Sequence, residues 1–265
     1  MRAIYILLIF GFLCSCEEVI DVDLNTSDPR LVIEANINLL EDGTSNSTVK
    51  LTTTAPFFDN IIPFVSDAIV SITSNTGELF NFEYVDNGIY QSNLVPEFDT
   101  NYTLEIIYNE EVYTSTQQLF TTVPIDFVEQ RNDGGFEGDE IEIKVFFTDP
   151  EGEDNYYFFE AISDESTVLD TYEDDFFDGN QIFGLYSEED LAANDEIDFY
   201  LYGVDRQFYN FMLILLQQGS DDTGGPFETQ PATVRGNIIN STNSDHYPLG
   251  YFRISQTYSF NYTVQ

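Results

Sequence analysis

A mainly β chain is what this sequence predicts: an N-terminal sandwich of the immunoglobulin or transthyretin-like kind, then a second β-rich domain with one prominent helix. Three observations carry that expectation. Apolar residues recur with a period of two in many short segments, which is the pattern of half-buried strands. Turn signals separate those segments at near-regular spacing, the clearest being Asn87-Gly88, where both residues tolerate positive φ and so favour a tight hairpin. Helical spacing occurs prominently only near 205–218. The 265 residues suffice for one large domain or two ordinary ones. Despite a net charge of −40, the chain is 42% hydrophobic and 15% aromatic, with 24 Phe and 17 Tyr, so it is expected to fold around a core rather than remain disordered.

The first element is a leader. Arg2 precedes an almost unbroken apolar run from Ala3 to Leu13. A positive residue, a short apolar core and small residues at a cleavage point form a secretory signal. The run is too short to span a bilayer, which takes about 20 apolar residues. Leu13-Cys14-Ser15-Cys16 resembles the bacterial lipobox, and the resemblance implies cleavage before Cys16 and a diacylglycerol on its thiol. A Cys-x-Cys metal or redox site is the competing reading, but it needs more soft ligands, and the single histidine is His246. Both cysteines of the chain lie in this segment. The mature chain is therefore expected to enter an oxidising compartment without disulfides, held together by its core alone. Glu17 and Glu18, followed by Asp21 and Asp23, resemble the acidic surface-export signal of Bacteroidota lipoproteins. The expected location is the outer membrane, lipid-anchored and facing the exterior.

Residues 16–29 read as a lipidated tether, and 30–122 as the sandwich. Leu31, Ile33, Ala35 and Ile37 alternate with Val32, Glu34, Asn36 and Asn38. Strands then follow from Val49, Ala68, Phe80, Tyr90, Tyr102 and Val112, about seven in all, the number expected of an immunoglobulin-like sandwich. Val123-Pro124 interrupts the pattern and places a boundary, with residues 123–265 forming the second domain. There Ile141, Ile143, Val145 and Phe147 alternate, and 156–162 and 197–202 read as buried strands. The acidic stretch 173–196 reads as a loop hinged at Gly179 and Gly184. Asp205 is a candidate N-cap for a helix whose Phe208, Phe211, Met212 and Leu215 share one face, ending at Gly219 and packing on a sheet. Gly224-Gly225-Pro226 begins another loop, and 251–264 reads as closing strands.

Charge excludes some partners. Forty-eight acids against eight basic residues repel phosphate backbones and anionic lipid surfaces, so nucleic acid is not an expected partner. No G-x-S-x-G elbow, H-E-x-x-H motif or phosphate loop occurs. Asp245-His246 invites a catalytic triad, but triads are set by geometry rather than adjacency, and an exposed loop histidine is expected. No catalytic residue is assigned and no enzyme activity is expected. Calcium is the one metal candidate. Asp149 and Asp154, with Glu151 and Glu153, surround Pro150 and Gly152, and Asp174, Asp175 and Asp178 precede Gly179. Flexible loops rich in oxygen ligands suit calcium, yet neither stretch matches a helix-loop-helix calcium loop. Solvated turns are expected, with a weak calcium site at one of them the alternative. No other cofactor is expected. Tyr156, Tyr157, Tyr200, Tyr202 and Tyr251 offer rings for sugar stacking, although such rings are expected mostly in the core.

Several segments of the second half occur together in order: Asp149-Pro150, Asn155-Tyr156-Tyr157, Asp175-Phe176-Phe177-Asp178-Gly179, Tyr209-Asn210-Phe211, Pro226-Phe227, Arg235-Gly236-Asn237-Ile238 and Leu249-Gly250-Tyr251-Phe252. With Cys16-Glu17-Glu18 and Leu31-Val32-Ile33-Glu34, this series resembles an uncharacterised family of Bacteroidota outer-membrane lipoproteins. Members of that family are often encoded beside TonB-dependent receptors. The resemblance implies a non-catalytic accessory role near a nutrient-uptake receptor and implies no reaction. A stand-alone surface binder of glycan or peptide is the alternative.

Overall fold

The computed structural model describes residues 28–56, 61–134, 138, 140–188, 191–219 and 233–265. The leader, Cys16, Glu17, Glu18 and the Gly224-Gly225-Pro226 loop lie outside these residues. Seven strands come first: β1 (Leu31–Leu39), β2 (Ser45–Thr53), β3 (Ile69–Ser74), β4 (Leu79–Asp86), β5 (Ile89–Ser92), β6 (Asn101–Tyr108) and β7 (Glu111–Gln118). Next come β8 (Ile125–Gly134), β9 (Glu140–Thr148), β10 (Tyr156–Ile162), β11 (Thr167–Glu173), β12 (Gln181–Ser187) and β13 (Glu196–Gly203). Helix α1 (Arg206–Gly219), β14 (Ile239–Asn240) and the long β15 (Leu249–Thr263) complete the order. The architecture is mainly β and sandwich-like, with one α-helix among the described residues, as the patterning predicts.

Alternation decides which residues form the first core. Leu31, Ile33, Ala35 and Ile37 of β1 all point inward, joined by Val49 and Leu51 of β2, Ile72 of β3 and Leu104 and Ile106 of β6. Strand β4 links the two layers, since its first half pairs with β3 (Val70 opposite Phe82) and its second with β5 (Glu83 opposite Gln91). The β4–β5 turn has Asn87 at φ 45° and Gly88 at φ 80°, the paired positive angles of the hairpin that Asn-Gly favours.

The second core lies between two sheets. β12, β9 and β8 form a three-stranded antiparallel layer. Its Ile143, Val145, Phe147, Ile182 and Tyr186 pack on Tyr157, Phe159, Ile197, Phe199 and Leu201 from β10 and β13. The expected loop over 173–196 is corrected here. Residues 181–187 form β12, with Ile182, Gly184 and Tyr186 buried in alternation. Gly184 is no hinge: a methyl there would overlap the Phe159 ring, so the glycine lets that ring close against the strand. β11 and β14 also went unanticipated, the first half-buried, the second only two residues long.

One strand belongs to both cores. Residues 249–256 of β15 run parallel to β1, with Val32 opposite Leu249 and Asn36 opposite Arg253. Residues 257–263 then pair antiparallel with β13. Phe252 and Ile254 accordingly sit in the first core, while Val264, just past the strand's end, sits in the second. β15 thereby joins strands from 30–122 and 123–265 in one continuous twelve-stranded arrangement, which runs from β11 through β15 and β1 to β14. The expected closing strands at 251–264 are this single strand.

Candidate ligand-binding cleft

The outward side of this continuous sheet carries the site. Helix α1 covers part of it. Asp205 caps the helix as expected, accepting a hydrogen bond from the Phe208 N–H at 2.5 Å. The same carboxylate accepts from Gln117 Nε2 (2.6 Å) and from the Tyr251 hydroxyl (3.1 Å), so the cap also fixes the helix to β7 and β15. Phe208 and Met212 bury themselves against Phe158, Tyr202 and Tyr251, forming a third apolar cluster. The anticipated face is correct at Phe208, half-buried at Phe211, and open at Leu215, which is 43% exposed.

Beside the helix lies a cleft of about 740 Å³, within the range typical of small-molecule sites. Its floor is the face of β1 that alternation points away from the core, namely Val32, Glu34, Asn36 and Asn38. Phe158, Phe211, Met212, Leu215 and Leu249 supply apolar wall. The six-residue step from Val32 to Asn38 gives a floor roughly 20 Å long, at the usual rise per strand residue.

Arg253 stands in this cleft and is only 7% exposed. Its Nε donates to Asn36 Oδ1 at 3.2 Å and its Nη1 to Asn38 Oδ1 at 3.1 Å, both neutral acceptors. The guanidinium carbon lies 4.2 Å from the Tyr202 ring centre, with Phe208 and Phe158 at 5.6 and 5.8 Å. Among the described residues no carboxylate comes within ion-pair distance of it. The negative group that influences it is Glu160, whose Oε2 accepts from the Tyr202 hydroxyl at 2.7 Å. Burial pushes the Arg253 pKa down and that of Tyr202 up, yet arginine starts so high that it stays charged near neutrality.

Two further arginines lie beside one end of the cleft. Arg30 and Arg235 place their guanidinium carbons 3.9 and 3.7 Å from the centre of the Tyr247 ring. Arg30 also donates to the Tyr247 and Asp245 carbonyls, at 3.2 and 3.3 Å. Val234, adjacent to Arg235, and Leu249, two residues past Tyr247, line the cleft. Three of the eight basic residues of a chain with net charge −40 thus gather in or next to one cavity.

Of the carboxylates anticipated as calcium ligands, Asp149 and Asp178 accept hydrogen bonds from the protein itself. Asp149 is buried and accepts from the Tyr157 hydroxyl at 2.5 Å and the Gly179 N–H at 3.4 Å. Burial, the dominant cause, raises its pKa above the ordinary carboxylate value. Asp178 accepts from the Gly152 N–H at 2.6 Å, and Asp174 from the Asn155 N–H at 3.1 Å. Together they clasp the β9–β10 turn to the loop before β12. Asp154 and Asp175 are exposed. No group of three metal-ligating side chains occurs among the described residues.

His246 is tied down rather than free. Its Nδ1 lies 3.2 Å from both Glu111 carboxylate oxygens. Glu111 also accepts from Tyr113 (2.6 Å), Asn240 and Asn243 (3.1 Å each), which ties the 240–246 loop to β7. No serine or other nucleophile joins His246 in these bonds. The tyrosines considered for sugar stacking divide as expected of core rings: Tyr157 faces the second core, while Tyr202 and Tyr251 are buried under the helix. Exposed Phe127 and Phe183 and half-buried Phe146 lie elsewhere. Phe127, Phe146 and Phe183 form a row across the outer face of β8, β9 and β12, with centres 4.6 and 5.4 Å apart. The alternation of 141–147 that buries Ile143, Val145 and Phe147 dictates that Phe146 points outward.

Comparison with known proteins gives the class. The chain belongs to the family described as a domain of unknown function (DUF4249), whose model matches residues 17–261. Among solved structures it is similar to the two fibronectin type-III domain segment from chicken tenascin, at 12% identity, over 67% of this chain and 91% of that one, with a TM-score of 0.21. No curated protein matches. No helix among the described residues is long and apolar enough to cross a membrane.

Proposed function

We propose that this protein is a lipid-anchored, surface-facing lipoprotein of the outer membrane that binds a ligand in the cleft beside α1, without catalysis, as an accessory to a TonB-dependent uptake receptor. The observation that carries the binding role is the cleft itself, a cavity of about 740 Å³ walled by rings and aliphatic side chains around one buried cation. The anchor reading is supported by Leu13-Cys14-Ser15-Cys16 at the end of the apolar run, and by a family match that starts at residue 17, next to Cys16. The receptor reading rests on the family resemblance.

The test is an affinity pull-down of the tagged lipoprotein from native outer membranes, identified by mass spectrometry, beside a Cys16→Ala control. A stoichiometric TonB-dependent receptor, lost in the control, supports the accessory role. Recovery of the lipoprotein alone removes it and favours a stand-alone binder of glycan or peptide. That second reading has one observation in its favour: this single chain supplies walls and floor for a whole cavity.

A further inference from the structure

The buried cation limits what the cleft can hold. Removing a guanidinium from water costs several kcal/mol unless something compensates. Here two neutral amide oxygens and the face of Tyr202 compensate in part. A guanidinium carries five N–H donors in a planar fork. Two nitrogens bond to Asn36 and Asn38, which leaves N–H groups of the same fork for a further acceptor. A core replacing this residue with an aliphatic side chain would avoid the desolvation cost altogether. The aromatic face and the asparagines hold the charge in place without neutralising it.

The surroundings define the rest of the ligand. Phe211, Met212, Leu215 and Leu249 present carbon to the cavity. Glu34, the acid in the floor, faces Lys50 at 3.6 Å. Glu160 is engaged by the Tyr202 hydroxyl. At the end marked by Leu249, Arg30 and Arg235 flank Tyr247 and add positive potential on a molecule that is otherwise strongly acidic. Three charged side chains line the cavity; Glu34 faces Lys50 and Glu160 accepts from Tyr202, so the buried Arg253 guanidinium is the one without a charged partner in ion-pair range, and beside long apolar walls it selects an anion with a hydrocarbon body, because charge–charge attraction grows as water is excluded.

We infer that the cleft takes an organic monoanion, a carboxylate carried on an apolar chain or ring, with its oxygens on the free edge of the Arg253 fork and its hydrocarbon along α1. This rests on the ligand-binding role proposed above and names the class of ligand. A planar carboxylate matches the fork of two parallel N–H donors, a geometry that a point cation does not offer.

The test compares two probes of equal length and unequal charge, octanoate and octanamide, titrated by calorimetry into the full chain held in a lipid nanodisc, with empty nanodiscs as the blank. Octanoate is expected to bind one-to-one and on the order of tenfold or more tighter than octanamide. Arg253→Gln is expected to remove that preference. Because Arg253 is buried and its substitution also bears on folding, Leu215→Asp is the second variant: its side chain lies at the open edge of the cleft, and a carboxylate there is expected to repel octanoate while the melting temperature holds. Equal binding of both probes, abolished by Leu215→Asp, overturns the anion assignment and leaves the cleft as an apolar binding site. Binding of neither probe, or octanoate binding that Leu215→Asp and Arg253→Gln leave unchanged in folded protein, also overturns the inference. The receptor pull-down is decided independently of all these outcomes.

Discussion

Arg253 and Tyr202 lie on adjacent parts of the same sheet, the guanidinium carbon 4.2 Å from the ring centre, while the ring hydroxyl donates to Glu160. The tyrosine thus separates the buried cation from an acid it never touches. The ring face and the hydroxyl have separable effects. Tyr202→Phe keeps the face and is expected to cost about 1 kcal/mol, the loss of one hydrogen bond. Tyr202→Leu also loses the cation–π contact and is expected to cost about 1–2 kcal/mol more. Urea unfolding of the two variants checks this, and a Leu variant no weaker than the Phe variant would show that the stack contributes nothing.

The Asp149–Tyr157 bond predicts an unusual pH dependence. Tyr157→Phe removes the hydroxyl that solvates a buried carboxyl and is expected to lower stability by about 1.5–3 kcal/mol. Burial, the largest cause, raises the Asp149 pKa. A raised folded-state value means that the stabilisation is fully present below the unfolded value near 3.8 and is lost as pH climbs through the folded value. Asp149→Asn has no such titration. Its stability deficit relative to the parent is therefore expected to shrink from pH 4 to pH 7, and melting temperatures that show the gap widening would contradict the argument.

Glu111 predicts the opposite trend. Its pKa is lowered, first by the Tyr113 hydroxyl, then by His246 and Asn243. A lowered folded value gives stability that is present above the unfolded value near 4.5 and lost as pH falls through the folded one. Glu111→Gln is therefore expected to loosen the 240–246 loop at pH 7, and by less at pH 3, below the unfolded value. Amide hydrogen exchange of residues 240–246 at the two pH values reads this directly.

Gly250 tests the join between the cores. It has φ +94°, and a methyl there would overlap the carbonyl oxygen of Ile33, its partner on β1. Gly250→Ala combines a left-handed backbone with overpacking and is expected to cost about 2–4 kcal/mol. A variant within 0.5 kcal/mol of the parent, roughly the spread of neutral surface changes, would mean that β15 can shift on β1 without penalty.

Much of the fold is legible in local pattern, because alternation reports which side of a strand is buried. The β1 pattern yields Ile33, Ala35 and Ile37 for the core and Asn36 and Asn38 for the other face. What alternation does not report is what that other face meets. The asparagines read as solvent-facing and instead hold Arg253, more than two hundred residues away in sequence. The helix and its Asp205 cap are similarly readable, whereas the bonds from Asp205 to Gln117 and Tyr251 depend on tertiary structure. β12 escaped because its flanks are acidic and Gly184 resembles a hinge until Phe159 is placed beside it. For the carboxylates near Asp149, sequence shows their number but not the backbone N–H groups bound to Asp149, Asp174 and Asp178.

The parallel pairing of β1 with β15 has a kinetic consequence. Leu31–Leu39 is among the first segments of the described chain and its partner strand is the last. A chain that emerges amino terminus first holds β1 with one lateral edge unpaired until nearly every other residue has followed. Loop closure over such a separation is slow, and an unpaired hydrophobic strand invites mispairing in the interval. The protein therefore completes both cores late, in the step that also assembles the Arg253 cleft, and a nascent chain cut short before Leu249 would have neither a complete core nor the cleft.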